Sequence, residues 1–535
     1  MASLRTRERP TQRLCARGRD FGWRRIIRLC QVDACSGWPA TIHPTVKRGF
    51  FISLVVLLLA TAALHWTESD QRRDIPVIYW NTQDDENKRA TVETFQQWRK
   101  EQGLPPVELR IDNTNQEPTK KLVQGLSGVG SDIMDLYAYE ADLFPATGMI
   151  ADVTEDAKRL GFSPAATYPA LAGDYVFEGR QYGFPRNAGV NLNWINRATF
   201  AKYHIPEPPQ RWSLDEFEAL GKKFVAAANP PGTRQRIFFT NLVSREVLRR
   251  GVGLANYNET DTRCTLDDPR NVQILERVRR WTVEDRLMPS REEGEAMAAD
   301  ISGFGSMFSH FVSGRFAMIY VGEWALIMLR PRGEFQLRAV EPALDGFPNT
   351  EMGGGSVGVY VGSKHLKESV EFLQYLASAP FNRLIVRIAD GLPPVPKYAE
   401  TEEFLHPPAH PNEWGTGAVF AQAARETGLT VSKSPFVLQS ILFREEKELT
   451  EAMISGRLTA AQASKAMGDR INAEIALSVD RNPALRKRYD ERLRIQRQID
   501  ARRAAGQPVP AAWINDPFHL AYYRAHGWLE KETAP

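Results

Sequence analysis

A chain of 535 residues that is 43% hydrophobic, 25% charged and 10% aromatic has an ordinary globular composition, which excludes a disordered, collagen-like or multi-span protein. It is long enough for two or more packed lobes. The net charge of +3 hides an asymmetry: residues 1–48 hold 11 Lys and Arg against 3 Asp and Glu, a surplus of +8, so residues 49–535 sum to −5 and give no case for nucleic-acid binding.

Lys47 and Arg48 precede an uncharged run, Gly49–Trp66 (GFFISLVVLLLATAALHW). Its 18 residues lie at the lower edge of the roughly 17–25 that span a bilayer. A basic n-region, an apolar h-region and the small residues Ala60-Thr61-Ala62 predict an export signal, either cleaved or retained as an anchor. Both outcomes export the rest of the chain, because the flanking positive charge stays in the cytoplasm. Residues 1–45 are long for an n-region, and the reading expects translation to start near Val46. Cys15, Cys30 and Cys35 lie in this leader. The exported part therefore keeps only Cys264, with no internal disulfide and no cysteine placed for a lipid anchor. Flanked by Arg263 and Thr265, Cys264 is expected as a surface or half-buried thiol.

Ile75–Trp80 (IPVIYW) is a β-branched and aromatic run that predicts a buried strand, closed by the polar turn 81–85. Ala90, Val92, Phe95 and Trp98 then recur at helical spacing. Val107–Ile111 predicts a strand, Lys120–Leu126 a helix and Asp132–Tyr137 a third strand. That alternation implies a parallel sheet with right-handed crossovers, whose ligands collect at the carboxyl ends of the strands, here loops 81–85 and 137–140. Val176–Asn196 has an extended rhythm punctuated by Gly and Pro, and an amphipathic stretch follows at Leu214–Val225, as in a passage into a second lobe. Phe311–Trp324 reads as a helix end, a Gly turn and an apolar strand, and Gly353–Val361 as an extended segment before a helix at Lys367–Leu376. Residues 481–503 predict an Arg-rich solvated helix, and Trp513–Trp528 an aromatic tail.

GGGSVG at Gly353–Gly358 lacks the Lys-Ser/Thr ending of a phosphate loop. His406 and His410 are separated by Pro407 and Pro408, which disfavour the helix that would align both rings on zinc. Acids stand beside aromatics at Trp80 (Asp84, Asp85, Glu86), at Tyr137 and Tyr139 (Glu140), and at Trp324 (Glu323). Two of these carboxylates would make a glycosidase pair if they faced one another at the required separation. The same groups would make a sugar pocket, with rings stacked on the sugar faces and carboxylates on the hydroxyls. A third arrangement leaves the Trp residues in the core and the acids in solvent.

Four segments in order carry a resemblance: Ser131–Glu155, Gly179–Phe224 with its Pro-Pro-x-x-Trp turn, Phe311–Trp324 with its Gly-x-Trp ending, and Gly353–Ser378. Over about residues 75–475 the chain resembles the family 1 extracellular solute-binding proteins of ABC importers, the group that includes maltose-binding protein. The resemblance implies an α/β, two-lobed periplasmic-binding-protein fold (type II), hinge-connected, with an extra C-terminal helical extension. Its lobes would be residues 74–186 plus 357–410 and 187–356 plus 411–480, with 481–535 as the extension. By position, it implies ligand contacts from Trp80, Asn81, Gln83, Asp84, Tyr137, Tyr139 and Glu140 in the first lobe. Asn187 lies past the first crossing, Glu323 and Trp324 on the second-lobe wall, and Trp414 and Phe436 in the last third. Tyr137 stands where the family often has Trp.

The expected function is capture of a sugar or oligosaccharide and its delivery to ABC permease subunits, with no catalytic residue, cofactor or metal. The expected place is the periplasm, either free or held at the inner membrane by residues 49–66. A membrane-anchored carbohydrate-active enzyme and a ligand-sensing ectodomain are the alternatives.

Overall fold

The computed structural model describes Val56 and residues 75–114, 116–137, 140, 143–300 and 305–531. The expected signal segment, Val56 apart, and Tyr139 lie outside these. In chain order the strands are Val77–Asn81 (β1), Glu108–Asp112 (β2), Ile133–Leu136 (β3), Gly183–Pro185 (β4), Gly189–Asn196 (β5) and Phe238–Thr240 (β6). Phe316–Gly322 (β7), Leu337–Val340 (β8), Thr350–Gly353 (β9), Ser356–Val359 (β10) and Gly428–Thr430 (β11) follow, and a small hairpin lies at 176–181. The helices used below are Glu86–Glu101 (α1), Pro118–Leu126 (α2), Leu214–Ala228 (α3), Leu366–Leu376 (α4), Ala379–Ile388 (α5), Gln439–Ile454 (α6), Ala460–Arg481 (α7), Pro483–Ala504 (α8) and Pro517–Ala525 (α9).

Along β1, Ile78 and Trp80 are buried while Tyr79 is exposed, the period-2 pattern of a strand with one covered face. β1 pairs in parallel with β2 and β3 through the crossover helices α1 and α2, as the alternation predicts. Asp85 caps α1 by accepting the Lys88 amide at 2.9 Å. The sheet is mixed rather than parallel throughout, because β10 returns antiparallel to β3 and β4 pairs antiparallel with β10, giving the order β2-β1-β3-β10-β4. Phe95 and Trp98 of α1 meet Phe372 and Tyr375 of α4 over Ile78, Ile133 and Val357 in the first core.

The second sheet runs β11-β9-β5-β7-β6, with β8 also on β5. β5 alternates: Val190, Leu192 and Trp194 enter one core, and Ile195 enters another that includes Phe217 and Phe224 of α3. α3 begins in a capping box between Ser213 and Glu216. Ala399 and Phe404 pack into the same core as Trp194 and Phe420.

Cys264 corrects an expectation. Its polar neighbours pointed to a surface or half-buried thiol, but the side chain is fully buried with Leu266, Met467 and Ile471. Burial pushes the thiol up to about 12. The C-terminal extension is helical, as α8 and α9.

Candidate functional site

Register brings the carboxyl ends of three strands to one place. Leu136, at the end of β3, pairs with Ser356 at the start of β10. Gly322, closing β7, pairs with Asn191, and Gly353, closing β9, pairs with Gly189 at the start of β5. The links 186–188 and 354–355 therefore join the two sheets between these ends, and such strand ends are where ligands bind in α/β sheets.

A third segment, 389–391, lies beside the two links. Ala188 and Leu392 exchange backbone hydrogen bonds at 2.8 Å in each direction. The Arg186 amide donates to the Gly355 carbonyl at 2.8 Å. Asn187 binds the three together: its Nδ2 donates to the Asp390 carbonyl at 2.8 Å and its Oδ1 accepts the Gly355 amide at 2.9 Å. Approach is so close that a Cβ on Gly354 would sit 2.3 Å from the Asn187 carbonyl oxygen. Asn187, expected as a ligand contact, thus bonds to both neighbouring segments.

Charged side chains line this junction. Asp135, next to the end of β3, accepts Trp80 Nε1 at 2.9 Å and Thr82 Oγ1 at 2.7 Å, with Arg186 Nε at 3.5 Å. Arg186 Nη1 and Lys88 Nζ lie 3.0 and 3.3 Å from Asp390 Oδ2. Burial raises the Asp390 carboxyl, but Arg186 and Lys88 outweigh it and hold the group below its ordinary value. The Tyr137 hydroxyl is pushed up by burial and by Asp135, with Arg186 opposing. Glu140 is fully buried, 3.0 Å from Lys121 Nζ, and accepts the Tyr137 amide at 2.9 Å. Burial outweighs both partners and holds its carboxyl above the usual range.

On the second-lobe side, Glu323 and half-buried Trp324 follow β7 directly, and the Trp324 and Phe308 rings meet edge to face with centroids 5.8 Å apart. Glu323 is buried, and its Oε2 has no hydrogen-bond partner among the described residues. Burial pushes its carboxyl up to about 8; Arg330, paired with Glu413 at 2.9 Å, opposes this, while Glu413 and Asp390 add to it.

The structure therefore redistributes the expected contacts. Tyr137 follows the end of β3, and Glu323 and Trp324 follow the end of β7. Gln83 and Asp84 are exposed beyond β1, Asp84 paired with Arg89 at 2.8 Å. Trp80 and Asn81 are buried, Trp80 with its ring on Phe372 at 5.1 Å, so Trp80 is a core residue in this arrangement. Phe436 is buried against Tyr489 of α8 at 5.2 Å. Trp414 is exposed, and its Nε1 donates to the Pro407 carbonyl at 3.1 Å. Lys88, Asp135, Arg186 and Asp390 escaped the sequence reading; only the position of Arg186 beside the crossing carried a signal. Among the described residues no group of His, Cys, Asp and Glu is placed to hold a metal ion, and no helix is long and apolar enough to cross a membrane.

A profile of the bacterial extracellular solute-binding proteins matches residues 90–412. An uncharacterized lipoprotein of Streptomyces antibioticus is 24% identical over 301 residues, 55% of this chain and 62% of that protein. The chain thus matches about three-fifths of that relative's length. Among solved structures, the substrate-binding protein Lmo0181 of Listeria monocytogenes, in complex with cycloalternan, superposes with a TM-score of 0.62 at 20% identity, covering 75% of this chain and 100% of that one. The GacH receptor of Streptomyces glaucescens, solved unliganded and with acarbose, gives 0.59 at 18% identity over 76% and 99%. The maltose/maltodextrin-binding domain MalE of Bdellovibrio bacteriovorus, bound to maltotriose, gives 0.57 at 16% over 75% and 100%. At these identities the likeness is one of fold.

Proposed function

The chain belongs to the bacterial extracellular solute-binding proteins, and from that premise we propose that it captures a sugar or oligosaccharide between its lobes and delivers it to the permease of an ABC transporter. Members of this family are binding proteins. The observation that carries the reading is the junction itself: the ends of β3, β7 and β9 meet at a three-segment hinge bordered by Tyr137, Trp324 and a set of carboxylates. Half-buried rings offer stacking faces to a sugar, and carboxylates accept from its hydroxyls. The oligosaccharides bound by the three solved structures named above favour carbohydrate over an amino acid or a metal ion.

A ligand touching both lobes selects the arrangement in which both can reach it, so capture needs no covalent step. We place the protein in the periplasm, free or held at the inner membrane through residues 49–66; the lipoprotein relative supports export.

The test is a thermal-shift screen of the purified protein against maltotriose, acarbose and cycloalternan, followed by recovery of any hit. A raised melting temperature with the sugar recovered unchanged is expected. Turnover of the sugar would overturn the reading in favour of an enzyme, and no response to any carbohydrate would overturn the ligand class.

A further inference from the structure

The extension after residue 481 lies beyond the stretch matched by the family profile. Along α8 only Gln496 and Ile499 are buried, while half-buried Leu485 and Tyr489 pack on the Phe436 cluster and Ile499 joins Val509, Ile514 and Tyr523. Polar bonds add to this packing in fastening it to the second lobe. The buried Glu259 carboxylate lies 2.8 Å from Arg503 Nη1, accepts Gln496 Nε2 at 2.8 Å, and takes a further hydrogen bond from the Tyr523 hydroxyl of α9. Arg492 pairs with Asp261 at 2.9 Å.

Its other end reaches the hairpin at 176–181, which stands between the lobes: Tyr175 and Val176 pack in the core of Trp194 and Phe420, while the return strand is tied to the first lobe. The Val153 amide donates to the Gln181 carbonyl at 2.8 Å, Gln181 Nε2 donates to Phe162 O at 2.9 Å and Gly183 O at 2.8 Å, and Arg180 pairs with Asp152 at 3.1 Å. The hairpin turns on Glu178 (φ 52°) and Gly179 (φ 76°), both left-handed as a two-residue I′ turn requires. A Glu is uncommon in that conformation, where Asn or Asp is the usual side chain. Here its carboxylate meets the Arg488 guanidinium of α8, which also lies 5.3 Å from the centroid of the Phe177 ring. Beside this contact is a cavity of about 250 Å³, with Leu143, Ala146 and Phe177 on the first-lobe side and Phe436, Leu485 and Arg488 on the other. Because its walls belong to different lobes, flexing the hinge must change its shape.

We propose that the C-terminal extension is a clasp between the lobes. Arg488, carried on a helix fastened to the second lobe, holds Glu178 and Phe177 of the hairpin whose return strand is tied to the first, and so sets the balance among lobe arrangements that a ligand must shift. The inference rests on the two-lobed fold and is independent of which solute is bound.

Spin labels at cysteines introduced for Lys100 of α1 and Glu276 of the helix Pro269–Arg279 test it by inter-lobe distance in the unliganded full chain. Cys15, Cys30 and Cys35 are replaced by Ser, and buried Cys264 is left in place. Arg488→Glu and Glu178→Arg, made singly, are expected to shift or broaden the distance distribution beyond the width of the parent peak, and the double exchange to restore it. Distributions unchanged in the single variants, or unrestored by the exchange, would overturn the clasp. If Arg488→Glu fails to fold, Glu178→Gln on the exposed turn gives the same readout. Since no sugar is added, the outcome stays separate from that of the ligand screen.

Discussion

Glu323 follows the last residue of β7 with Oε2 unpartnered among the described residues, and burial pushes its carboxyl up from 4.5 to about 8. Between those values the folded protein holds a proton that the unfolded chain has released, so this group's contribution to stability falls as pH rises through that window. Glu323→Gln is expected to match the parent near pH 4.5 and to be more stable by roughly 1–3 kcal/mol above pH 8. Urea melts at the two pH values check this, and an equal difference at both would refute it. The two tryptophans separate the same way, by surroundings. Trp80 packs on Phe372 and donates to Asp135, so Trp80→Ala should cost about 3–5 kcal/mol of stability. Trp324, half-buried at the junction, should lose ligand affinity on replacement by Ala with a smaller change in the urea midpoint.

At the scale of elements, one side chain bonds to two of the crossing segments besides its own. Asn187→Ala leaves the Gly355 amide and the Asp390 carbonyl without their partner, a change worth roughly 1–3 kcal/mol. Faster amide exchange at Gly355 is the expected sign, with the β1 amides unchanged. The extension has its own acid sensitivity. Burial raises the Glu259 carboxyl, but His519, Tyr523 and Gln496 together outweigh it and hold the group below 4.5. Its stabilising contribution is therefore present above the ordinary carboxylate range and is lost as pH falls through the lowered value. On acidification, α8 amides should lose exchange protection before those of β5; simultaneous loss at every pH would refute the independent docking of α8.

For the whole molecule, binding and stability are linked. A solute that binds only the folded, two-lobed protein stabilises it by about 2.7 kcal/mol at 100 times its dissociation constant. Dialysis that removes the sugar should return the melting temperature to its starting value, and a rise that persists after exhaustive dialysis would count against simple reversible capture.

Local periodicity sufficed for the strand and helix order from β1 to β3, because alternation in 77–81 and three-to-four-residue spacing in 86–101 are written in neighbouring residues. The ordered segments ending in Gly322-Glu323-Trp324 and running through Gly353–Ser378 likewise carried the fold family and two residues of the junction. What sequence could not convey was burial and partnership between distant positions. Trp80 and Trp324 both stand beside acids in the chain, yet one is sealed by α4 and the other borders the junction. Asp390 gains its meaning from Arg186 and Lys88, far away in sequence and brought near only when two sheets share three crossing segments. Cys264 reads as polar by its neighbours and is buried because α7 covers it. Composition and periodicity are local quantities; exposure, protonation and the joining of two lobes are set by which surfaces the folded chain presses together.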